Sequence, residues 1–254
     1  MAFPGLGPGA PGCAYRKTGR RPLLCGRPSF FLGRQPAVRI LLEIDGPVVD
    51  VQPAYWLAYQ KTVADLGLAR IDQATFWRLV RSGATTGQIL RGSKPHHWKH
   101  YEARFVEFLD TDECVAQMRL RPDGMDALLA MSPRNTVVSI DTMGNLPARR
   151  RIIESGGNSV PSDRLAQVAG SLDRRAHQLV DLAAGDPHAI VIAASDRLVR
   201  AASEAGLSCI GIANGPCTEA RLTQAGATRV FDCLGACVTA ANHASGGWRE
   251  VARL

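Results

Sequence analysis

The chain has 254 residues, of which 46% are hydrophobic and 21% are charged, and its formal net charge is +7. No stretch approaches the roughly 18 uninterrupted apolar residues of a membrane-spanning helix, so we expect no membrane partner. Residues 1–39 hold seven of the 30 Lys and Arg and no acid, and the other 23 basic residues match the 23 Asp and Glu. The body of the chain is therefore neutral, and its charge gives no reason to expect nucleic-acid binding.

Residues 1–36 are rich in Gly, Pro and Arg and lack hydrophobic periodicity. Such a segment buries too little apolar surface to offset the entropy of ordering, which predicts a disordered basic tail. The segment is poor in Ser, and its prolines interrupt an amphipathic helix, so we expect a cytoplasmic protein. An organelle address and nucleic-acid binding through residues 16–39 are the alternatives.

Hydrophobic patterning begins at Val38. Residues 38–44 are largely apolar and rich in β-branched side chains, which predicts a buried parallel strand that ends at Gly46-Pro47. Helical patterns follow at 53–67, 74–81, 97–109, 112–118 and 124–131, with no strand pattern among them. This all-helical insert over residues 52–130, directly after the first strand, indicates a cap domain.

From residue 136 onward strands and helices alternate. Strands are predicted at 136–140, 189–193, 209–213 and 229–231, and helices at 147–155, 174–184, 197–205, 219–224 and 234–242. Connections of this kind imply an α/β fold, in which a Rossmann-like parallel sheet carries helices on both faces. Residues 37–51 and 131–245 are assigned to this core, and residues 246–254 to a C-terminal tail.

Several polar residues fall where the predicted strands end. Because ligands bind beyond the carboxyl ends of parallel strands, one crevice should collect Glu43, Asp45, Ser139, Asp141 and Asn214. Glu43 and Asp45 are two carboxylates at the entry to the Gly46 turn, an arrangement that Mg²⁺ uses beside a phosphate. A solvated loop end explains such a pair equally well.

The stretch Glu43-Ile44-Asp45-Gly46-Pro47-Val48-Val49-Asp50 resembles motif one of the haloacid dehalogenase superfamily, an apolar strand followed by Asp-x-Asp-Gly. Residues 201–207, 210–215 and 225–227 also look like this family. With the helical insert, the resemblance covers residues 38–242 and is closest to the phosphoglycolate-phosphatase-like branch. It implies a phosphohydrolase with a helical cap between motifs one and two and a Mg²⁺ cofactor.

The resemblance also implies roles for single residues. Glu43 stands where the family has its nucleophilic Asp, Asp45 matches the general acid/base, and Ser139 fits the phosphate-binding hydroxyl of motif two. Ligand-binding positions in the same crevice are Gly46, Asp141 and Asn214.

Motifs three and four depart further from the family. The Lys of motif three is missing, and Arg174, or its neighbour Arg175, is the nearest substitute. The two acidic positions of motif four are held by Ala194 and Leu198. Asp196, two residues away from the first of them, is expected to cap the helix that follows.

These departures shift the predicted role from turnover to binding. The longer Glu43 side chain moves its carboxylate by about 1 Å, and misplacement of that size costs on the order of 10²-fold in rate. We predict a catalytically impaired phosphatase homologue, a pseudoenzyme, that binds a small ligand, phosphorylated or not, or a partner. The alternative is a slow or altered hydrolase of a small phosphorylated metabolite that uses Asp45, Ser139 and Asp141.

Three other features have simpler interpretations. His96 and His100 are spaced to chelate a metal from one helical face, but a solvated helix start after Pro95 is favoured. The arginines at 149–151 are interpreted as a solvated face, with binding of an anionic ligand as the alternative. The seven scattered cysteines are interpreted as small buried residues, with a redox or metal role as the alternative.

Overall fold

The computed structural model describes residues 37–131, 135–142, 146–155 and 165–253, so the predicted tail at 1–36 lies outside the described residues. Its strands are β1 (Arg39–Glu43), β2 (Val49–Asp50), β3 (Arg119–Leu120), β4 (Thr136–Asp141), β5 (Leu165–Gln167), β6 (Ile190–Ala193), β7 (Ser208–Ile212) and β8 (Arg229–Phe231). Six of them form a parallel sheet in the order β5-β4-β1-β6-β7-β8. The predicted α/β class with a parallel sheet is confirmed.

The helices are α1 (Gln52–Asp65), α2 (Gln73–Ser82), α3 (Thr86–Ile89), α4 (Pro95–Leu109), α5 (Asp112–Val115), α6 (Pro122–Met131), α7 (Leu146–Ser155), α8 (Leu172–Ala183), α9 (Asp196–Glu204), α10 (Glu219–Ala225), α11 (Leu234–His243) and α12 (Trp248–Val251). Each predicted helix is present close to its predicted bounds. None of the described helices is long and apolar enough to cross a membrane.

Five short elements were not predicted from the sequence, among them the two-residue strands β2 and β3. Strand β5 has only three residues, and α3 is a single turn that Thr85 and Gln88 close with a capping box. Helix α12 lies inside the segment predicted as a C-terminal tail, and it buries Trp248 and Val251. Segments this short leave no periodic pattern in the sequence, so hydrophobic periodicity does not reveal them.

Strand β1 lies in the middle of the sheet and is buried on both faces. On one face, Ile40 and Leu42 belong to an apolar cluster that also contains residues of α6 and α11. On the other face, Leu41 belongs to a second cluster, together with Leu179 of α8 and Val199 of α9. Side chains of a strand alternate between its two faces, so one short segment anchors both halves of the core. This position places the end of β1 at the centre of the carboxyl edge of the sheet.

The cap is built by α1 to α5 around an aromatic cluster of its own, which contains Tyr59, Val63, Phe76, Leu90 and Tyr101. The insert is helical except for strand β3, which was not predicted and which pairs with β2 in an antiparallel pair that joins Val49 to Leu120. Helix α6 was assigned to the cap, but Met125 and Leu128 place it in the central apolar cluster, against α11.

Candidate functional site

Glu43 is at the end of β1, and only 1% of its surface is exposed. Its carboxylate accepts four hydrogen bonds. Oε2 accepts from the backbone N–H groups of Ala194 (2.7 Å) and Ser195 (2.9 Å). Oε1 accepts from the hydroxyls of Ser195 (2.7 Å) and Thr142 (3.1 Å). Each oxygen is therefore held by two donors from the chain itself.

The local sequence accounts for these contacts. Ser195 is the N-cap of α9, so its Oγ accepts from the Leu198 N–H (3.4 Å) while its hydroxyl donates to Glu43. Backbone N–H groups at the start of a helix favour a nearby carboxylate, and Glu reaches one methylene further than Asp. Burial raises the pKa of Glu43, and the four hydrogen bonds offset part of that rise.

Asp45 and Gly46 form the tight turn after β1. Asp45 is buried and forms a backbone bridge with Val49, whose carbonyl accepts from the Gly46 N–H (2.8 Å). Gly46 has a φ of +93°, and a Cβ there would lie 2.7 Å from the Cβ of Ala194 and 2.8 Å from the Cα of Gly215. The turn therefore requires glycine both for its backbone conformation and for the close approach of two loops.

Ser139, Asp141 and Asn214 are the other residues that were predicted to lie at strand ends in the site. Ser139 and Asp141 are buried on β4, where they pair with Leu165 and Gln167 of β5. Asn214 contributes its backbone carbonyl, which accepts from Arg121 Nη2 (3.1 Å). Thr142, which was not among the predicted site residues, contacts Glu43 directly. Its signal in the sequence was only a hydroxyl one residue beyond the end of a strand.

A cavity of about 800 Å³ lies between the cap and the carboxyl edge of the sheet. The core contributes to its lining Thr142, Arg175, Ser195 and Arg197, and the cap contributes aromatic side chains, Tyr55, Phe76, Tyr101 and Phe105. Glu43, Asp45, Ser139 and Asn214 do not line it. The structure thus brings the donors around Glu43 to the cavity wall, with Glu43 behind them.

Arg175, and not the predicted Arg174, faces this cavity. Both residues belong to α8, but Arg174 is exposed and packs its side chain against Gly170. Arg175 is partly buried and lines the cavity. Consecutive residues of a helix point about 100° apart, so only one of the two can face the site. Sequence spacing alone did not distinguish them.

Asp196 does not cap α9, as was expected, because Ser195 takes that position. Asp196 is instead the first residue of the helix, and its Oδ2 accepts from Nε (3.1 Å) and Nη2 (3.0 Å) of Arg221. Arg221 Nη1 also donates to the carbonyl of Val80 at the end of α2 (2.9 Å). This ion pair therefore ties the cap to the core.

We expect Arg221→Ala to lower the free energy of unfolding by about 2–3 kcal/mol, because Asp196 would keep a largely buried carboxylate without its main partner. Arg200→Ala is the matched control. Arg200 also pairs with Asp196, at 3.5 Å, but its side chain is 59% exposed, so its loss should cost no more than about 0.5 kcal/mol. Urea unfolding measures both variants, and equal losses would contradict the assignment.

The residues present do not fit a Mg²⁺ ion. Both oxygens of Glu43 are engaged by N–H and O–H donors, and Ala194 and Leu198 are buried where the family has acids. Within the described ranges, no group of three or more His, Cys, Asp or Glu is arranged to hold a metal. Glu43 therefore offers no free carboxylate oxygen to a Mg²⁺ ion, and the two motif-four positions supply none.

The remaining sequence features have simple places in the fold. His96 and His100 are exposed at the start of α4, as a solvated helix start predicts. Arg150 and Arg151 are exposed on α7, and the side chain of residue 149 lies outside the described part. The described cysteines are free, and apart from the partly exposed Cys233 they are buried, namely Cys114, Cys209, Cys217 and Cys237.

Comparison with solved structures identifies the fold. A haloacid dehalogenase-like hydrolase from Streptococcus pneumoniae superposes with a TM-score of 0.62 at 15% identity, covering 80% of this chain and 98% of that one. A predicted phosphoglycolate phosphatase from Haemophilus somnus gives 0.57 at 14% identity, covering 81% and 98%. CbbY from Rhodobacter sphaeroides, in complex with phosphate, gives 0.52 at 21% identity, covering 78% and 95%.

This chain therefore has the fold of the haloacid dehalogenase-like hydrolases, and the predicted resemblance is confirmed at the level of the fold. No family model matches the sequence. No curated protein matches it either.

Proposed function

We propose that this protein is a catalytically impaired homologue of phosphatases with the haloacid dehalogenase fold. In this proposal it binds a small ligand in the cavity between cap and core without turning it over. The observation that carries the proposal is the position of Glu43, whose carboxylate is held by four hydrogen bonds behind the cavity wall.

The contacts of Glu43 are unsuited to nucleophilic attack. An attacking oxygen must present a lone pair to phosphorus at close range and in line. Here each oxygen of Glu43 accepts from two donors, and Thr142 and Ser195 stand between the carboxylate and the cavity.

The cavity supports the binding half of the proposal. Its volume of about 800 Å³ is within the range of small-molecule sites, and its lining combines aromatic side chains with a few polar and charged ones. Arg175 supplies positive charge on the core side, in place of the family's Lys. Unlike the compact ammonium group of a lysine, its guanidinium group is a planar fork that is suited to hold an anion. The cavity thus retains the means to bind an anion, although its catalytic acids are replaced.

The proposal is tested by phosphate release from the full-length protein, incubated with Mg²⁺ and a panel of small phosphate monoesters. We expect no more release than from an Asp45→Asn variant, because Asp45 holds the position of the general acid/base and Asn preserves its shape. Phosphate release that is clearly above background and that Asp45→Asn removes would contradict the proposal. It would identify the protein as the slow hydrolase that was the alternative from the sequence.

A further inference from the structure

Two arginines that form no salt bridge with the described residues line the core side of the cavity. Arg175 extends from α8 and Arg197 from the first turn of α9, and both line the cavity. Among the described residues neither forms a salt bridge, whereas nearby Arg221 is paired with Asp196. The Nε of Arg175 is buried and has no hydrogen-bond partner in the described part of the chain. Burial, and then the positive charge of Arg197, lower the pKa of Arg175.

Two adjacent guanidinium groups that repel each other are stabilised by an anion between them. Arginine is planar and offers several N–H donors in a fixed geometry, so a pair of arginines suits a carboxylate or phosphate group. The carboxylate of Glu43, whose charge acts on Arg175, has both oxygens engaged by other donors. Burial raises the pKa of Tyr55 to about 12, so its hydroxyl stays protonated and can donate to the same anion.

The cap side of the cavity is apolar and aromatic. Phe76, Tyr101 and Phe105 line it. Phe76 stacks with Tyr59 and Phe105 stacks with Tyr101, and Tyr55 meets Phe105 edge to face. Flat apolar walls of this kind bind the body of an organic molecule better than a small hydrated ion. The acids of this wall, Glu102 and Asp110, belong to the cap, so an anionic head should lie at the opposite, arginine-lined side.

We infer that the cavity binds an organic anion with an aromatic or apolar body, whose charged head lies between Arg175 and Arg197 and whose body packs against Phe76 and Phe105. This inference rests on the proposed function, because it assumes a ligand that is bound and kept. It adds the chemical class of that ligand: a head group with two or more oxygens, either carboxylate or phosphate, joined to an apolar body.

Calorimetric titration of the full-length protein separates the two parts of the ligand. The probes are phenyl phosphate and benzoate, which have a head and a body, inorganic phosphate, which has the head only, and phenol, which has the body only. Of phenyl phosphate and benzoate, we expect the one that binds more tightly to bind at least about tenfold more tightly than inorganic phosphate or phenol. Which of the two binds more tightly identifies the head group.

Variants of the two arginines test the position of the head. Arg175→Gln and Arg197→Gln should each weaken the tighter probe by at least about tenfold, because each removes charged hydrogen bonds. Arg174→Gln is the matched control on the same helix and should leave the affinity unchanged. Because Arg197 is exposed, its variant is expected to fold even where Arg175→Gln does not.

The outcomes distinguish this inference from the proposed function. Inorganic phosphate binding as tightly as phenyl phosphate, or unchanged affinity in the Arg197→Gln variant, would overturn the ligand class while leaving the protein a binder. Absence of binding by all four probes would overturn it as well. Hydrolysis of bound phenyl phosphate, with the arginine dependence intact, would overturn the proposed function and leave the ligand class standing.

Discussion

Replacing Gly46 with alanine is expected to lower the free energy of unfolding by about 3–5 kcal/mol. This value is the sum of two costs, the backbone strain of a residue other than glycine at a positive φ and the overpacking by the added methyl group. The φ of +93° is in a region that side chains other than that of glycine rarely adopt. The new methyl group would also meet the Cβ of Ala194 at 2.7 Å and the Cα of Gly215 at 2.8 Å. Backbone atoms cannot move aside as a flexible side chain can, so the contact must displace one of the two loops.

Gly92→Ala is the matched control for this prediction. Gly92 has a similar φ of +79°, but nothing lies within 4 Å of a Cβ built there. Its substitution should therefore cost only the conformational strain, about 1 kcal/mol. Urea unfolding of both variants measures the difference. Equal destabilisation by the two substitutions would show that the close approach of the three loops at Gly46 does not contribute.

Glu43→Ala should destabilise the protein by a similar amount, about 3–5 kcal/mol. The substitution leaves the buried N–H groups of Ala194 and Ser195 without their acceptor, at about 1–3 kcal/mol each, and also opens a cavity at the centre of the sheet edge. Glu43→Gln preserves the shape and one acceptor oxygen, so we expect a smaller loss. A nearly neutral Glu43→Ala variant would contradict the four-hydrogen-bond arrangement.

The same side chain should make stability depend on pH. Burial raises the pKa of Glu43 in the folded protein above the ordinary 4.5, so the folded state binds this proton more tightly than the unfolded state. The resulting stabilisation is complete below pH 4.5 and is lost as the pH rises through the folded pKa. Wild-type stability relative to Glu43→Gln should therefore fall between acidic and neutral pH, and urea unfolding across this range measures the change. A difference that stays constant would contradict a raised pKa.

The sequence was sufficient for the architecture because long apolar strands and amphipathic helices leave strong periodic signals. Residues 38–44 pointed to the central strand, and the order of motifs pointed to the fold that the solved structures share. What escaped prediction was short, such as β3 and β5, or depended on contacts between distant segments. The packing of α6 against α11 is of the second kind.

The site was predicted in its location but not in its contacts. Motif spacing placed Glu43 and Ala194 at one edge of the sheet, but it did not reveal that the Ala194 backbone would bind the Glu43 carboxylate. Asp196 was likewise expected to act within its own helix, whereas its partner Arg221 is 25 residues away. Such pairings depend on the direction in which a side chain points, which the spacing of residues along the sequence does not fix.

We propose that Glu43 is an internal, hydrogen-bonded carboxylate and not a catalytic one. The most direct measurement is the ¹³C chemical shift of the Glu43 side-chain carboxyl, followed through a pH titration with and without Mg²⁺. The account predicts a pKa above the ordinary 4.5 and a titration curve that Mg²⁺ leaves unchanged. A normal or lowered pKa, or a curve that Mg²⁺ shifts to lower pH, would show a carboxylate that is open to metal and substrate, and would contradict it.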